Sequence, residues 1–531
     1  MKKISEIKFE EMSVRQKLSF ANAVTYPKEC SPENEKYIFD QIKNRAMGAI
    51  WIQMGNEGGG TELVRERIKR VREAADYPII IMTDAESGMG EYKIGHHGPL
   101  ACTGKEEYAY AFGKAVGVTA REFGYNAVCN PLLDLGKNGS VRALSSDKHT
   151  VAKFAAAEAR GMHDAGILTV GKHYPSARND LNLDTHMVEG FSDQTKEELL
   201  DESLYAYLEL MREGLLDGIM AGHSKLRKID PTAPACLSKP VIDVIRERGY
   251  DGFIITDALC MMGIRAKFGK VDPMGMCIAA GCDLPLMYNR ELEFNQESLY
   301  DCYERGIITD EALDSAVKHI LAAQHKVFVY ENRQNADITE HEDSLVRNIE
   351  YDAIFEKVDE GVSKSISRDG KYYFVLMIDN DSSFGRGVID VDTFSEKWHI
   401  PEKIHGKIRD LFPNSKIQIC YQFPNQSQCH NILNDSFGYD ELIFVTYSEF
   451  LCYTGAEHFT HRFIALADAM QYTSRISTLV HFGNPVILSE LPHFSRIIVG
   501  GGSFKGTMAS LEVLAGEREA KGVLTHKVNF K

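Results

Sequence analysis

The segment GKHYPSARNDLNLDTH, residues 171–186, holds the densest set of chemistry-bearing side chains in the chain. Lys172 and His173 stand at the end of an apolar run, and Asp184 and His186 follow as a D-x-H pair. In extended backbone, residues i and i+2 lie on the same side, so the carboxylate can hold the imidazole. Such a pair fixes the tautomer and raises the imidazole's basicity, which suits a general acid/base near neutral pH. The plain alternative is two solvated loop residues. The nearby Lys172–His173 at a strand end weighs against it.

Two further strand ends carry carboxylates. GFIITDAL, residues 252–259, delivers Asp257 after a very apolar run. A carboxylate there has to be solvated in a cleft or paired. It could be a nucleophile, a metal ligand, a structural partner of Lys or Arg, or an N-cap for the following segment. IMTDAESG, residues 81–88, repeats the pattern with Asp84, and glycines follow where a substrate could approach closely. Asp84 could accept hydrogen bonds from a polyol. Arg142 in SVRALSSD and His223 in IMAGH are candidates for the same cleft. Each alone is as compatible with a structural role as with binding. The signal is their gathering at strand ends.

Other chemistries have weaker support. His173, Asp184, His186, His223 and Asp257 could form a His/Asp metal cage. The sequence offers D-x-H, however, and neither H-x-H nor H-E-x-x-H. GGGSFKG (500–506) lacks the K-[ST] ending of a phosphate-binding loop, and GNEGGG (55–60) reads as a plain loop.

The elements that must position these residues alternate between short apolar strands and amphipathic helices. Strand candidates are 48–54, 77–84, 126–135, 167–174, 218–223, 252–257 and 282–288. They read as continuous buried runs, as a parallel sheet covered on both faces requires. Helical periodicity is clear in 106–123, where Ala109, Phe112, Val116, Ala120 and Phe123 share a face. It recurs in 195–217, through Leu200, Leu204, Leu208, Met211 and Leu215, and in 309–327, with Thr309 as N-cap.

Seven such units in the first part predict a (β/α)₈ TIM-like barrel with one strand irregular. Asp84, Asn130, Lys172 with His173, His223 and Asp257 all fall at C-terminal strand ends, which a barrel places round one mouth. Residues 331–344 are nearly devoid of apolar side chains and read as a linker. The expected organisation is a catalytic barrel at 1–330, a linker at 331–350, and a smaller open α/β sandwich domain at 351–531. Strand candidates in the last are 371–379, 415–422, 441–448, 475–483 and 496–502.

Composition narrows the partners. The 531 residues carry a formal charge of −16, which argues against nucleic acid or an anionic membrane as main partner. The 11 cysteines include no CxxC pair, which argues for a reducing compartment. The first twenty residues lack the apolar core of a signal peptide, and no uncharged apolar run is long enough to span a membrane. The expected location is the cytoplasm. Oligomeric state is not legible.

In this order the motifs resemble glycoside hydrolase family 3, in its β-N-acetylglucosaminidase branch. TDAESG is similar to the family's D-x-E-G-G, FGYNAVCNPLLDL to its N-x-x-x-x-P-x-x-D strand, and VRALSSD to R-S-F-x-x-D. KHYP with DTH resembles K-H-F-P followed by D-S-H, and AAGCDLPL resembles A-G-x-D-x-x-L. The resemblance implies that Asp257 is a nucleophile forming a covalent glycosyl-enzyme. It implies that His186, held by Asp184, is the acid/base, and that Asp84, Arg142, Lys172 and His173 bind sugar hydroxyls. It further implies an exo-acting retaining enzyme that releases a terminal β-linked N-acetylhexosamine by double displacement, with no metal or organic cofactor. β-Glucosidase or glycoside phosphorylase activity on the same scaffold is the alternative, and an inactive sugar-binding protein is a further one. The sequence departs from the pattern beside the sugar site, with PSARN in place of P-G-H-G and ESGMG in place of E-G-G-R.

Overall fold

The computed structural model describes residues 5, 7–54, 60–136, 142–176, 185–331, 336–378, 400–448, 458–472, 476–501 and 503–531. Its first sheet contains β1 (Ala23–Thr25), β2 (Ala49–Trp51), β3 (Ile80–Asp84), β4 (Ala127–Cys129) and β5 (Leu168–Tyr174). A small pair, β6 (Phe191–Ser192) and β8 (Lys225–Leu226), lies apart, while β7 (Gly218–Ala221) and β9 (Phe253–Thr256) continue the main sheet. The order is β1-β2-β3-β4-β5-β7-β9, parallel throughout.

The sheet closes through the segment 284–286. Leu284 bridges Ile255 on one side and Leu286 bridges Ala23 on the other, both parallel. The Ala23 N–H donates to the Pro285 carbonyl at 3.1 Å, and Thr256 N–H to the Leu284 carbonyl at 3.0 Å. The eighth position is thus an irregular strand, and the ring is a (β/α)₈-type barrel. The irregular segment lies within the strand expected at 282–288, whereas β1 was not among the expected strands.

Helices cover the barrel where the apolar stripes predicted them. Glu106–Phe123 buries the whole expected face and ends at Gly124, whose φ of 95° suits the left-handed cap. Thr309 caps Asp310–Glu331, accepting from Ala312 N–H at 3.2 Å. The 195–217 stretch departs from expectation. A wide π-type turn at Leu199–Ser203 inserts a residue before Tyr205–Arg212, so Leu199, Leu204, Tyr207 and Leu210 are buried while Leu208 and Met211 are only partly so.

The polar stretch read as a linker carries a helix, Glu340–Asp352. Thr339 and Glu342 form a reciprocal cap, and Val346 and Ile349 are buried.

A second sheet follows: β10 (Phe355–Val358), β11 (Tyr372–Ile378), β12 (Lys416–Tyr421), β13 (Glu441–Ser448), β14 (Ile476–Gly483) and β15 (Arg496–Gly500). Its order is β10-β15-β14-β13-β11-β12, parallel except for the antiparallel edge β10. Alternate residues feed two cores. Phe374, Leu376, Ile443 and Val445 pack with helices Ile400–Leu411 and Phe504–Leu514. Tyr373, Val375, Leu442 and Phe444 pack with His461–Tyr472 on the other face. This is an α/β sandwich. Among the described residues, no helix is long and apolar enough to cross a membrane.

Candidate active site

Around the C-terminal mouth of the barrel an alternating chain of charges begins at Asp84, the last residue of β3. Lys172, near the end of β5, places Nζ 2.5 Å from Asp84 Oδ1 and 3.2 Å from Glu86 Oε2. Arg142 grips Glu86 bidentately, Nε to Oε1 at 3.0 Å and Nη2 to Oε2 at 2.7 Å. Burial works against charge on Lys172, but Asp84 and Glu86 beside it raise its pKa. Burial likewise pushes the Glu86 carboxyl up, and Arg142 and Lys172 more than offset this, holding it well below the usual carboxylate range. Such a network rigidifies a site because every charge has a partner. The Lys172 side chain is 2% exposed and that of Asp84 39%, so Asp84 is the member a ligand reaches most readily.

His173 is set by Asp134, in the loop after β4. Asp134 Oδ1 accepts the His173 backbone N–H at 3.1 Å, and Oδ2 contacts Nδ1 at 2.8 Å. Nε2 remains as the ring nitrogen not engaged by Asp134. Asp134 is itself held in place by Ser176, which is buried. The Ser176 hydroxyl donates to the Leu133 carbonyl and accepts the Leu135 N–H, both at 3.0 Å, bracketing Asp134. Ser176 has φ of 56°, a left-handed conformation that disfavours side chains. It stands where the family pattern has glycine after K-H-F-P. The two hydrogen bonds offset the cost of a side chain there.

Asp257 directly follows β9. Its N–H continues the ladder to the Ala221 carbonyl at 2.8 Å, and its Oδ1 accepts the Ala258 N–H at 2.7 Å. Among the described residues no Lys or Arg pairs with it. Burial pushes its carboxyl up. The imidazoles of His223, His173 and His186, together with the Ala258 N–H, more than offset this and bring it to about 2.

His223, the other candidate for this cleft, follows β7 and turns its ring to partners within the protein. Its side chain is buried, with Nδ1 3.3 Å from Cys236 Sγ and Nε2 3.0 Å from the Ala258 carbonyl. With Nε2–H donating to that carbonyl, both ring nitrogens are committed. Burial lowers its pKa despite Asp257 nearby, which favours the neutral ring. His223 therefore steadies the residue whose N–H binds Asp257. Both ring nitrogens of His223 thus have partners within the protein.

His186 lies in the turn at 185–188. Its carbonyl accepts the Met262 N–H at 3.0 Å, and its ring is close enough to Asp257 to lower that carboxyl. Asp184 lies outside the described residues. Asn130, expected with the strand-end group, is fully buried instead. Its Nδ2 donates to Glu158 at 2.8 Å and to the Ala85 carbonyl at 3.1 Å, supporting the Asp84–Glu86 turn from behind. The sequence reading did not single out Glu86, Asp134 or Ser176. Glu86 sits two residues past Asp84 and Asp134 ends the N-x-x-x-x-P-x-x-D stretch, so both had a positional signal.

A closed parallel barrel whose C-terminal mouth carries an ionised carboxylate, nearby imidazoles and a fixed charge chain is an enzyme of the (β/α)₈ class. The family description "Glycosyl hydrolase family 3 N terminal domain" matches residues 8–323, and the chain belongs to glycoside hydrolase family 3. It is 29% identical over 243 residues to a β-hexosaminidase of Haemophilus influenzae, covering 43% of this chain and 69% of that protein. A family 3 β-N-acetylglucosaminidase from Paenibacillus sp. superposes with a TM-score of 0.75 at 20% identity, covering 98% of this chain and 100% of that one. A β-glucoside phosphorylase superposes with a TM-score of 0.75 at 19% identity, covering 98% and 94%.

Proposed function

We propose that the protein is an exo-acting, retaining β-glycosidase that releases a terminal β-linked N-acetylhexosamine. Asp257 is the nucleophile. His186, held by Asp184, is the acid/base. The observation that carries this reading is Asp257 itself: a carboxylate at a strand end, held ionised, bound by one backbone N–H and, among the described residues, paired with no Lys or Arg.

In the first step an Asp257 oxygen attacks the anomeric carbon, the glycosidic bond breaks, and the His186 imidazolium gives its proton to the departing oxygen. In the second, the neutral imidazole takes a proton from water. The water oxygen attacks the same carbon, and the bond to Asp257 breaks. Two displacements retain configuration. Asp84, Arg142, Lys172 and His173 hold the hydroxyls of the terminal sugar, and His223 steadies Ala258 behind the nucleophile.

The names of the β-hexosaminidase and β-N-acetylglucosaminidase relatives support the N-acetylhexosamine assignment. The barrel at 1–330 is the catalytic domain in this reading. The ten described cysteines are free thiols, which supports a reducing, cytoplasmic setting. An imidazole acid/base tolerates an anionic acceptor better than a second carboxylate does, so phosphate is the competing acceptor. A panel of nitrophenyl β-glycosides, run with and without phosphate, tests the assignment. Turnover is expected on the N-acetylglucosaminide, with no dependence on phosphate. Preference for the glucoside, or release of sugar phosphate, would replace this reading with its alternatives.

A further inference from the structure

The residues of the sugar site are supported from outside the barrel. The segment 523–527 is anchored on both sides to the second sheet's surroundings, by Gly522 N–H on the Ile354 carbonyl at 2.8 Å and Asn529 N–H on Ser489 Oγ at 3.1 Å. Between these anchors it crosses to the barrel. Val523 N–H donates to the Cys102 carbonyl at 2.8 Å. Thr525 Oγ1 donates to the Leu144 carbonyl at 3.0 Å. The Thr525 carbonyl accepts Ser145 Oγ–H at 2.5 Å and Ser146 N–H at 3.2 Å, and Lys527 N–H donates to Ser146 Oγ at 2.8 Å.

The target of these bonds is the loop that carries Arg142. Ser145 is its node. Its carbonyl accepts the Gly136 N–H at 2.8 Å and it bridges Leu135, next to Asp134. Its hydroxyl also accepts the N–H of Asp147, the cap of helix Lys148–Asp164. One loop therefore leads to both Arg142, on Glu86, and Asp134, on His173. The fit is close. A Cβ on Gly136 would stand 2.5 Å from Nε2 of His526, a ring that is itself buried.

We propose that the segment 523–527, through Thr525, is a positioning element of the sugar site: it braces the loop that sets Arg142 and Asp134. A chain region outside the barrel's helices and strands thereby tunes how tightly the terminal sugar is held. The inference rests on the reading of Arg142 and His173 as sugar-binding residues.

The test uses the full chain carrying Thr525→Val, Thr525→Ser and Ser145→Ala. Two readouts are taken: steady-state kinetics on a nitrophenyl β-N-acetylglucosaminide, and amide hydrogen exchange across 134–147 without sugar. Thr525→Val and Ser145→Ala are expected to raise KM about five-fold with kcat changed less, and to speed exchange in that stretch. Thr525→Ser keeps the hydroxyl and is expected to restore both. Unchanged exchange in Thr525→Val overturns the brace, whatever the substrate proves to be. Faster exchange with unchanged KM overturns the positioning role, even if the variant melts earlier. If the unaltered protein turns over no nitrophenyl glycoside, the functional reading falls, while the exchange measurement still decides the brace.

Discussion

The backbone N–H of Met262 donates to the carbonyl oxygen of His186 at 3.0 Å. This bond fastens the turn carrying the imidazole to the segment that leaves Asp257 five residues earlier, so the two groups assigned to the chemistry share one piece of scaffold. The small pair β6–β8 and the ion pair between Glu189 and Lys225, at 2.6 Å, fix the same turn from its other side.

An acid role for His186 makes its loss depend on the leaving group. His186→Ala is expected to lower kcat/KM for alkyl or oligosaccharide leaving groups by about 10²–10⁴-fold, because these need a proton. Dinitrophenyl glycosides, whose leaving group departs as the anion, are expected to lose far less in the same variant. A Brønsted plot over a series of phenols measures the difference. Equal losses across the series contradict the assignment.

Gly263 offers a gentler perturbation of the same turn. A Cβ there would lie 2.6 Å from the Thr185 carbonyl and 2.8 Å from the Val188 carbonyl, both backbone atoms that cannot step aside alone. Gly263→Ala is expected to displace the turn and reproduce the leaving-group pattern of His186→Ala in weaker form. A uniform loss over all leaving groups would show that the turn does not position the proton donor.

The pH profile separates nucleophile from acid. The Asp257 carboxyl titrates at about 2 in the folded protein, below the ordinary value of 3.8. It is therefore ionised throughout the range above about pH 4. Its contribution to stability is fully present above 3.8 and is lost as pH falls through about 2. For activated glycosides, kcat/KM is expected to show no acidic limb from this group above about pH 4. A limb centred higher that disappears when Asp257 is replaced by a rescuable alanine variant would contradict an ionised nucleophile.

Lys172 is the buried centre of the charge chain. Lys172→Met leaves Asp84 and Glu86 without their shared cation and is expected to cost about 1–2 kcal/mol, less than a fully buried pair because Asp84 is part exposed and Glu86 keeps Arg142. It is also expected to weaken competitive binding of the free sugar. Denaturant unfolding and inhibitor titration check the two effects. Unchanged sugar affinity would assign Lys172 to structure alone.

Much of this arrangement was legible because the barrel obliges chemistry to sit at strand ends. Asp84, Lys172 and Asp257 each follow an unbroken apolar run, which is visible without coordinates. The positioning residues were harder to see. Asp134 and Ser176 act through hydrogen bonds between loops distant in sequence, and only folding brings them together. For His223 the strand end was legible but the partners of its ring, Cys236 and the Ala258 carbonyl, were not, because a strand end does not tell what a ring finds behind it. β1 and β10 went unread because neither sits in a long apolar run: β1 directly follows Asn22, and β10 carries Glu356 and Lys357. The shifted face of 195–217 arose from one inserted residue at Leu199–Ser203, which pattern alone does not reveal.

Ser176 tests how a left-handed residue is retained. Ser176→Ala loses both hydrogen bonds and keeps the unfavourable φ, whereas Ser176→Gly loses the bonds but relieves the backbone. The alanine variant is expected to be less stable than the glycine variant by about 1 kcal/mol. Thermal unfolding gives the order. The reverse order would show that the backbone conformation at this position carries no penalty for a side chain.

The most direct measurement is covalent trapping. A fluorinated N-acetylhexosaminyl substrate that forms the intermediate quickly and hydrolyses it slowly is incubated with the protein, and the labelled peptide is sequenced by mass spectrometry. One sugar per chain on Asp257 is the predicted result, with no label in Asp257→Ala. Label on any other side chain, or near-normal turnover of activated glycosides by Asp257→Ala, would contradict the account.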